Sequence, residues 1–278
     1  MARAAARGDG PRGRSRRQRL DRLLVERGLA RSRERAQALI LAGVVRVDGR
    51  PAAKAGTLVP EEAAILVVAP DHPFVGRGGV KLQGALGAFG IDPSGRVALD
   101  VGASTGGFSD CLLRAGARRV YALDVGAGQL DWSLRRDPRV VVLEGRNARH
   151  LKAGDLPERV DLAVVDVSFI SLRLILPALP PLLAEEAAVL ALVKPQFEVG
   201  RREVGPGGIV RDPGLHLAAL ERIAEAAVGT GLTVLSACVS PITGMEGNRE
   251  FFLYLAAGGA GLAPDARTRL FEGIVHGS

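Results

Sequence analysis

The sequence predicts an α/β fold, a mostly parallel seven-stranded sheet covered by helices, preceded by a small α+β module. Three observations carry this. From about residue 81 to the end, short apolar strands alternate with helical stretches. Those strands are continuously apolar rather than alternating, as expected of a sheet buried on both faces. Ahead of them, two short helical patterns and a few short strands are packed into about fifty residues, followed by a Pro- and Gly-rich stretch. The expected organisation is a basic tail over 1–18, a compact module over 19–69, a linker over 70–80 and the large domain over 81–278.

In the module, Leu20, Leu23 and Leu24 fit one helical face, and Gly28 ends it as a C-terminal cap. Ser32 can cap a second helix with Ala36, Leu39 and Ile40 on its apolar face, ended by Gly43. Val44 to Val47 reads as a strand, Asp48-Gly49 as a hairpin turn, and Ile65 to Val68 as a closing strand. In the large domain the strands are expected at Val97–Val101, Arg119–Asp124, Arg139–Leu143, Asp161–Asp166, Ala187–Lys194, Leu232–Val239 and Glu250–Ala256.

Charge is unevenly placed. The 278 residues carry +7, yet residues 1–40 hold twelve Arg against four acids, a net +8, which leaves −1 for the rest. A uniformly basic, histone-like protein is excluded, and a localised polyanion-binding module is indicated. Its exposed helical positions carry Arg22, Arg27, Arg31, Arg33 and Arg35 without aromatic residues between them, which favours backbone and shape recognition of folded RNA over base stacking. Two distant cysteines, Cys111 and Cys238, make neither a disulfide framework nor a zinc site, so a reducing cytoplasm and no metal are expected. No apolar run reaches the ~18 residues of a membrane span, so no membrane partner is expected. The four His are read as surface or core residues, and Tyr121 and Trp132 as packing residues rather than stacking platforms.

The first strand of the large domain leads into Asp100-Val101-Gly102-Ala103-Ser104-Thr105-Gly106-Gly107-Phe108. A Gly-rich turn between a first strand and a helix lets backbone approach a ligand closely. No Lys-Ser or Lys-Thr follows, so it is no phosphate loop. Asp100 precedes the glycines, which suits a cationic methyl donor better than a pyrophosphate. Asp124 ends the second strand, where such folds hold ribose hydroxyls, and Asn147 follows the third, in reach of an adenine edge.

Four further residues converge by topology. Asp166 ends the fourth strand, Lys194 ends the fifth, Glu250 begins the last, and Lys81 opens the helix before the first. A strand-end charge alone is more often a surface group. Here, however, only four of the 37 basic residues are Lys, and two of them fall at these places. A chain that writes Arg wherever bare charge suffices keeps Lys where amine chemistry is needed. Lys54 and Lys152 are assigned to the surface.

These motifs resemble known families. Arg19-Leu20-Asp21, Gly28 to Arg33, and Val44 to Gly49 look like the S4-type RNA-binding domain, which implies RNA contact by Arg19, Arg22, Arg31, Arg33 and Arg35. The glycine turn with Asp100, Asp124 and Asn147 resembles the Rossmann-type S-adenosylmethionine-dependent methyltransferases, which implies cofactor contact from Asp100 and from Gly102 to Phe108. Lys81, Asp166, Lys194 and Glu250 resemble the catalytic tetrad of the FtsJ-like ribose 2′-O-methyltransferases, with Lys194 as general base. Gly78 to Leu82, Asp124 to Leu130, Val167 to Leu172, Lys194 to Gly200 and Gly205 to Val210 are similar to the TlyA family, which joins the two domains. The resemblance covers roughly residues 19–256. It implies 2′-O-methylation of cytidine in ribosomal RNA by a cytoplasmic enzyme, with a monomer favoured. Members are also called haemolysins, a label that composition does not support. His72-Pro73-Phe74-Val75 and Gly76 depart from the Arg, Trp and Ser usual in the family's linker.

Two other readings compete. One is a non-catalytic RNA-binding assembly factor, against which the intact tetrad and glycine turn speak. The other is a base N-methyltransferase, whose usual Asn/Asp-Pro-Pro-aromatic motif is replaced here by Asp166-Val167-Ser168-Phe169.

Overall fold

The computed structural model describes residues 16–277, apart from Arg31, Ala42, Ala53, 69–71 and Met245. The N-terminal unit contains β1 (Arg17–Arg19), α1 (Leu20–Glu26), α2 (Arg33–Leu41), β2 (Val45–Val47), β3 (Arg50–Pro51), β4 (Leu58–Pro60) and β5 (Ile65–Val67). Its core is the predicted one: Leu20, Leu23, Leu24, Ala36 and Ile40 are buried together with Val45 and Val59. Asp48 and Gly49 both take positive φ, 48° and 78°, as the two-residue hairpin between β2 and β3 requires. The basic segment is ordered earlier than expected. Arg17–Arg19 pairs antiparallel with Leu58–Pro60, so the tail reading is corrected for its last residues, and positions 1–15 lie outside the described residues.

The C-terminal unit contains α3 (Gly78–Phe89), β6 (Val97–Val101), α4 (Gly107–Arg114), β7 (Arg119–Asp124), α5 (Trp132–Arg135), β8 (Val140–Glu144), β9 (Val160–Val165), β10 (Leu183–Val193), α6 (Pro195–Glu198), α7 (Pro213–Gly229), β11 (Leu232–Val239), β12 (Phe251–Ala257) and α8 (Pro264–His276). Its sheet has seven strands in the order β11-β12-β10-β9-β6-β7-β8. The pairs from β10 to β8 are parallel, and β12 lies antiparallel between β10 and β11. All seven predicted strands are present, with ends shifted by a residue or so except at β10. That strand begins at Leu183, four residues early, and carries Glu185 and Glu186 at its exposed end. Every residue of β6 is buried, because helices cover both faces of the sheet and leave no solvent side.

Part of the linker belongs to the C-terminal unit. Gly78, Gly79 and Val80 form the first turn of α3. Phe74 is buried against that helix, and a Cβ at Gly79 would stand 2.2 Å from its ring. Only glycine admits that approach. The Val75 N–H donates to Asp110 on α4 at 2.9 Å, which anchors the linker at a second point.

Two packing expectations divide. Tyr121 is fully buried in the sheet, whereas Trp132 is 68 % exposed, so the packing assignment fails there. Trp132 is the first residue of a four-residue helix on the surface and lacks a neighbouring element to cover it. Among the described residues no helix is long and apolar enough to cross a membrane.

Candidate active site

In open α/β sheets ligands bind beyond the carboxyl ends of the strands. Here β6, β9 and β10 end at one rim, and the antiparallel β12 starts there. Asp166 follows β9, Lys194 follows β10, Glu250 precedes β12, and Lys81 lies in the first turns of α3. All four line a cleft of about 650 Å³, together with Gly102, Ala103, Ser104, Thr105, Gly107 and Phe108.

The two lysines are paired within it. Lys81 Nζ lies 2.6 Å from Glu250 Oε2, and both residues are buried. Lys194 Nζ stands 2.5 Å from Asp166 Oδ1 in an ion pair not aligned as a hydrogen bond, and donates to Ser168 Oγ at 2.8 Å. Burial pushes the Asp166 carboxyl up, but the charges of Lys194 and Lys81 outweigh it and hold the group below its ordinary range. Desolvating two such pairs offsets most of their attraction, so they add little to stability.

The glycine turn is built for close approach. Gly102 has φ +88°, and a Cβ there would stand 2.3 Å from the Asp166 carbonyl oxygen. Asp124 fixes the turn by accepting from Ser104 N at 2.8 Å and Gly126 N at 2.7 Å. Asp100 is fully buried behind it. One of its oxygens accepts from Ser109 Oγ at 2.7 Å and the other has no partner. Burial, with Asp166 and Asp124 nearby, pushes its carboxyl up to about 7 against the opposing Ser109 hydrogen bond.

Four predicted cofactor residues are not among the cleft's walls: Asp100 and Asp124, already placed behind the turn, and Gly106 and Asn147. Gly106 takes φ +96°, a backbone that strains any other residue, and its Cβ position faces Leu134 and Leu130. Asn147 is exposed and caps the 3₁₀ turn Ala148–His150 by accepting from Arg149 N at 3.1 Å.

The predicted RNA-contacting arginines divide as well. Arg19 and Arg33 both donate to the fully buried Asp21, at 2.8 and 3.1 Å. Hydrogen bonds from Arg19 above all hold that carboxyl well below its usual range. These two therefore brace the N-terminal core. Arg35 pairs with Asp131 of the C-terminal unit at 3.2 Å. Arg22 stays exposed, in a concave basic face with Arg16, Arg17, Arg19 and Arg27. Arg31 lies outside the described residues.

Sequence reasoning missed Phe169, which is 92 % exposed at φ +64°, lines the cleft, and lies 5.2 Å from the Phe197 ring. An exposed, strained aromatic beside a reactive site costs stability and signals a role there. Lys54, expected at the surface, is exposed there and also lines the same cleft, which sequence reasoning did not foresee.

A sheet whose last strand inserts antiparallel beside the fifth, over a glycine turn, defines a Rossmann-type methyltransferase carrying an S4-type unit. The FtsJ-like methyltransferase family matches residues 74–257, and the S4 domain matches residues 18–65. The 16S/23S rRNA (cytidine-2′-O)-methyltransferase TlyA of Mycobacterium tuberculosis is 52 % identical over 242 residues, 87 % of this chain and 90 % of that one. Hemolysin A of Brachyspira hyodysenteriae is 39 % identical over 85 % of this chain and 98 % of its own. A solved chain from Streptococcus thermophilus, classed with the hemolysins, superposes with TM-score 0.71 at 38 % identity, covering 93 % of this chain and 95 % of that one. The chain belongs to the FtsJ-like methyltransferases, in their TlyA family.

Proposed function

We propose that this protein methylates the ribose 2′-hydroxyl of a cytidine in ribosomal RNA, using S-adenosylmethionine. The observation that carries the proposal is the pair of buried lysine–carboxylate contacts facing one cleft beside the glycine turn. The M. tuberculosis relative is named for this reaction.

The residues fit the cofactor. Gly102 to Thr105 present backbone without bulk, and Asp100 keeps an unpartnered buried carboxylate oxygen behind them. Asp100, Asp124 and Asp166 give this end of the sheet the negative field a cation requires. When bound, S-adenosylmethionine supplies an electrophilic methyl group. Asp124, whose two oxygens fix the turn, would position it to receive the cofactor, with Gly106 and Asn147 supporting from outside the cleft wall.

A ribose hydroxyl is a poor nucleophile until its proton is accepted. Lys194 accepts it in its neutral form. Its Nζ stands 2.5 Å from Asp166 Oδ1, the carboxylate placed to meet the charge that arrives with the proton. Asp166 then stabilises the ammonium that forms, and Ser168 orients it. Lys81, held by Glu250, steadies the hydroxyl oxygen. Positioning and fixed charges provide the acceleration. Arg22 and its neighbours on the N-terminal basic face hold RNA backbone.

Calorimetric titration with S-adenosylmethionine separates this reading from a non-catalytic assembly factor. Saturable binding at one site supports the enzyme, and no binding overturns it.

A second outcome follows from Asp100. Its folded carboxyl titrates near 7, while an unfolded Asp is ionised above ~4. In the free protein the stability contribution of this group is full at low pH and is lost as pH rises toward 7, because the native state retains a proton that the unfolded chain has released. A cationic ligand favours the ionised form, so S-adenosylmethionine affinity rises with pH up to about 7 and then levels. Neutral S-adenosylhomocysteine shows a much smaller change, and Asp100→Asn removes the step. Equal pH dependence for both ligands would contradict the assignment.

Phe169 offers its ring to a base brought to the cleft. Stacking is worth ~1–3 kcal/mol per base, so Phe169→Ala lowers kcat/KM for RNA by ~10- to 100-fold and leaves cofactor affinity unchanged. Steady-state kinetics with ribosomal subunits check this.

A further inference from the structure

Lys54 lies in the segment between β3 and β4, yet it lines the cleft with Lys81 and Lys194, beside Leu41 from the end of α2. Three of the chain's four lysines thus face one cleft. The Lys54 ammonium pairs with Glu246 at 2.7 Å. Glu246 belongs to the segment that leads into Glu250, in which Thr243, Gly244 and Asn248 are each anchored by hydrogen bonds. Asn248, 1 % exposed, accepts from Val210 N and donates to Gly208 O, each at 2.9 Å. The Gly244 N–H donates to Asn248 O at 2.9 Å, and Arg77 donates to Thr243 O at 3.1 Å.

Among the described residues, two ion pairs cross between the units, and they share one polarity. Arg35 meets Asp131 and Lys54 meets Glu246, each with the cation on the N-terminal unit and the acid on the catalytic one. The Lys54 side chain is 69 % exposed and that of Glu246 32 %. An exposed pair of this kind stabilises little and is screened by salt. It is a poor strut and an easily exchanged contact.

We propose that Lys54 holds a backbone phosphate of the RNA beside the target nucleotide, and that Glu246 is the counter-ion it releases for that phosphate. This rests on the RNA methyltransferase reading above. The N-terminal unit then supplies a substrate ligand inside the catalytic cleft, besides gripping RNA on its own basic face. Glu246 competes with the phosphate and lowers affinity for any RNA that does not enter the cleft. A flexible ammonium with three rotatable donors suits such an exchange better than a planar guanidinium.

The test uses the full chain, purified ribosomal subunits and S-adenosylmethionine, with KM for subunits measured across a salt series. Lys54→Gln raises KM about tenfold, as expected for one lost charged contact. It also lowers the slope of log KM against log salt by ~0.7–0.9, and leaves cofactor affinity unchanged. Glu246→Gln lowers KM about threefold, as expected when a weak exposed competitor is removed, and the double variant matches Lys54→Gln. If Glu246→Gln instead raises KM as Lys54→Gln does, the pair is an interdomain strut and the proposal is overturned. It is also overturned if Lys54→Gln leaves KM and the salt slope unchanged. Wild-type protein that methylates no ribosomal RNA overturns the underlying reading, and that outcome is separate because it appears before any variant is made.

Discussion

Lys194→Met yields a folded protein that binds S-adenosylmethionine and transfers no measurable methyl group to RNA. Methionine keeps the length and apolar stem of the lysine and removes only the amine, so packing against Phe197, whose ring lies 6.0 Å from Nζ, is retained. What disappears is the proposed acceptor for the hydroxyl proton, together with the charge beside Asp166. General-base catalysis contributes ~10²–10⁴-fold, and the loss of charge adds to it. Asp166 is left near Lys81 alone, which still acts on its carboxyl, so a modest loss of stability accompanies the loss of rate. Lys194→Met/Asp166→Asn recovers that stability without recovering activity. Label transfer, with calorimetry for the cofactor and urea unfolding for the fold, separates the effects. Wild-type activity in Lys194→Met would remove the base assignment.

Gly102→Ala carries the second large effect. The new methyl would sit 2.3 Å from the Asp166 carbonyl oxygen, which is backbone and cannot swing aside, at a φ of +88°. Left-handed backbone costs a non-glycine residue ~1–2 kcal/mol, and overpacking a tight site costs ~1–3 kcal/mol more. Relief requires the Asp166–Phe169 loop to move away from the glycine turn. Both halves of the cleft then shift, so cofactor affinity and methyl transfer fall together, with stability lower by ~2–5 kcal/mol. Urea unfolding and calorimetry check this. Unchanged affinity would mean that the turn is not the cofactor floor.

The strands and the rim were legible because burial on both faces writes continuous apolar runs, as in Val97–Val101 and Leu232–Val239. Topology then brought Lys81, Asp166, Lys194 and Glu250 together without knowledge of side-chain positions. Long-range pairing was not legible. Nothing local to Arg19 and Arg33 says that both close on Asp21, so a surface expected to hold RNA partly braces its own core. Nor does the sequence near Lys54 show Glu246, 192 residues away in the chain. Phe169 was hidden because nothing in Val167-Ser168-Phe169-Ile170 announces the backbone turn at φ +64° that exposes the ring. Asn147 and Gly106 lie outside the cleft wall. Their positions suit a cofactor, but a turn cap and a contact with Leu134 account for them.

Nucleoside analysis of ribosomal RNA after incubation with this protein and labelled S-adenosylmethionine tests the central claim most directly. Label is expected in 2′-O-methylcytidine with wild-type protein and absent with Lys194→Met. Label on a base, or equal 2′-O-methylcytidine from both proteins, would contradict the proposed chemistry of this cleft.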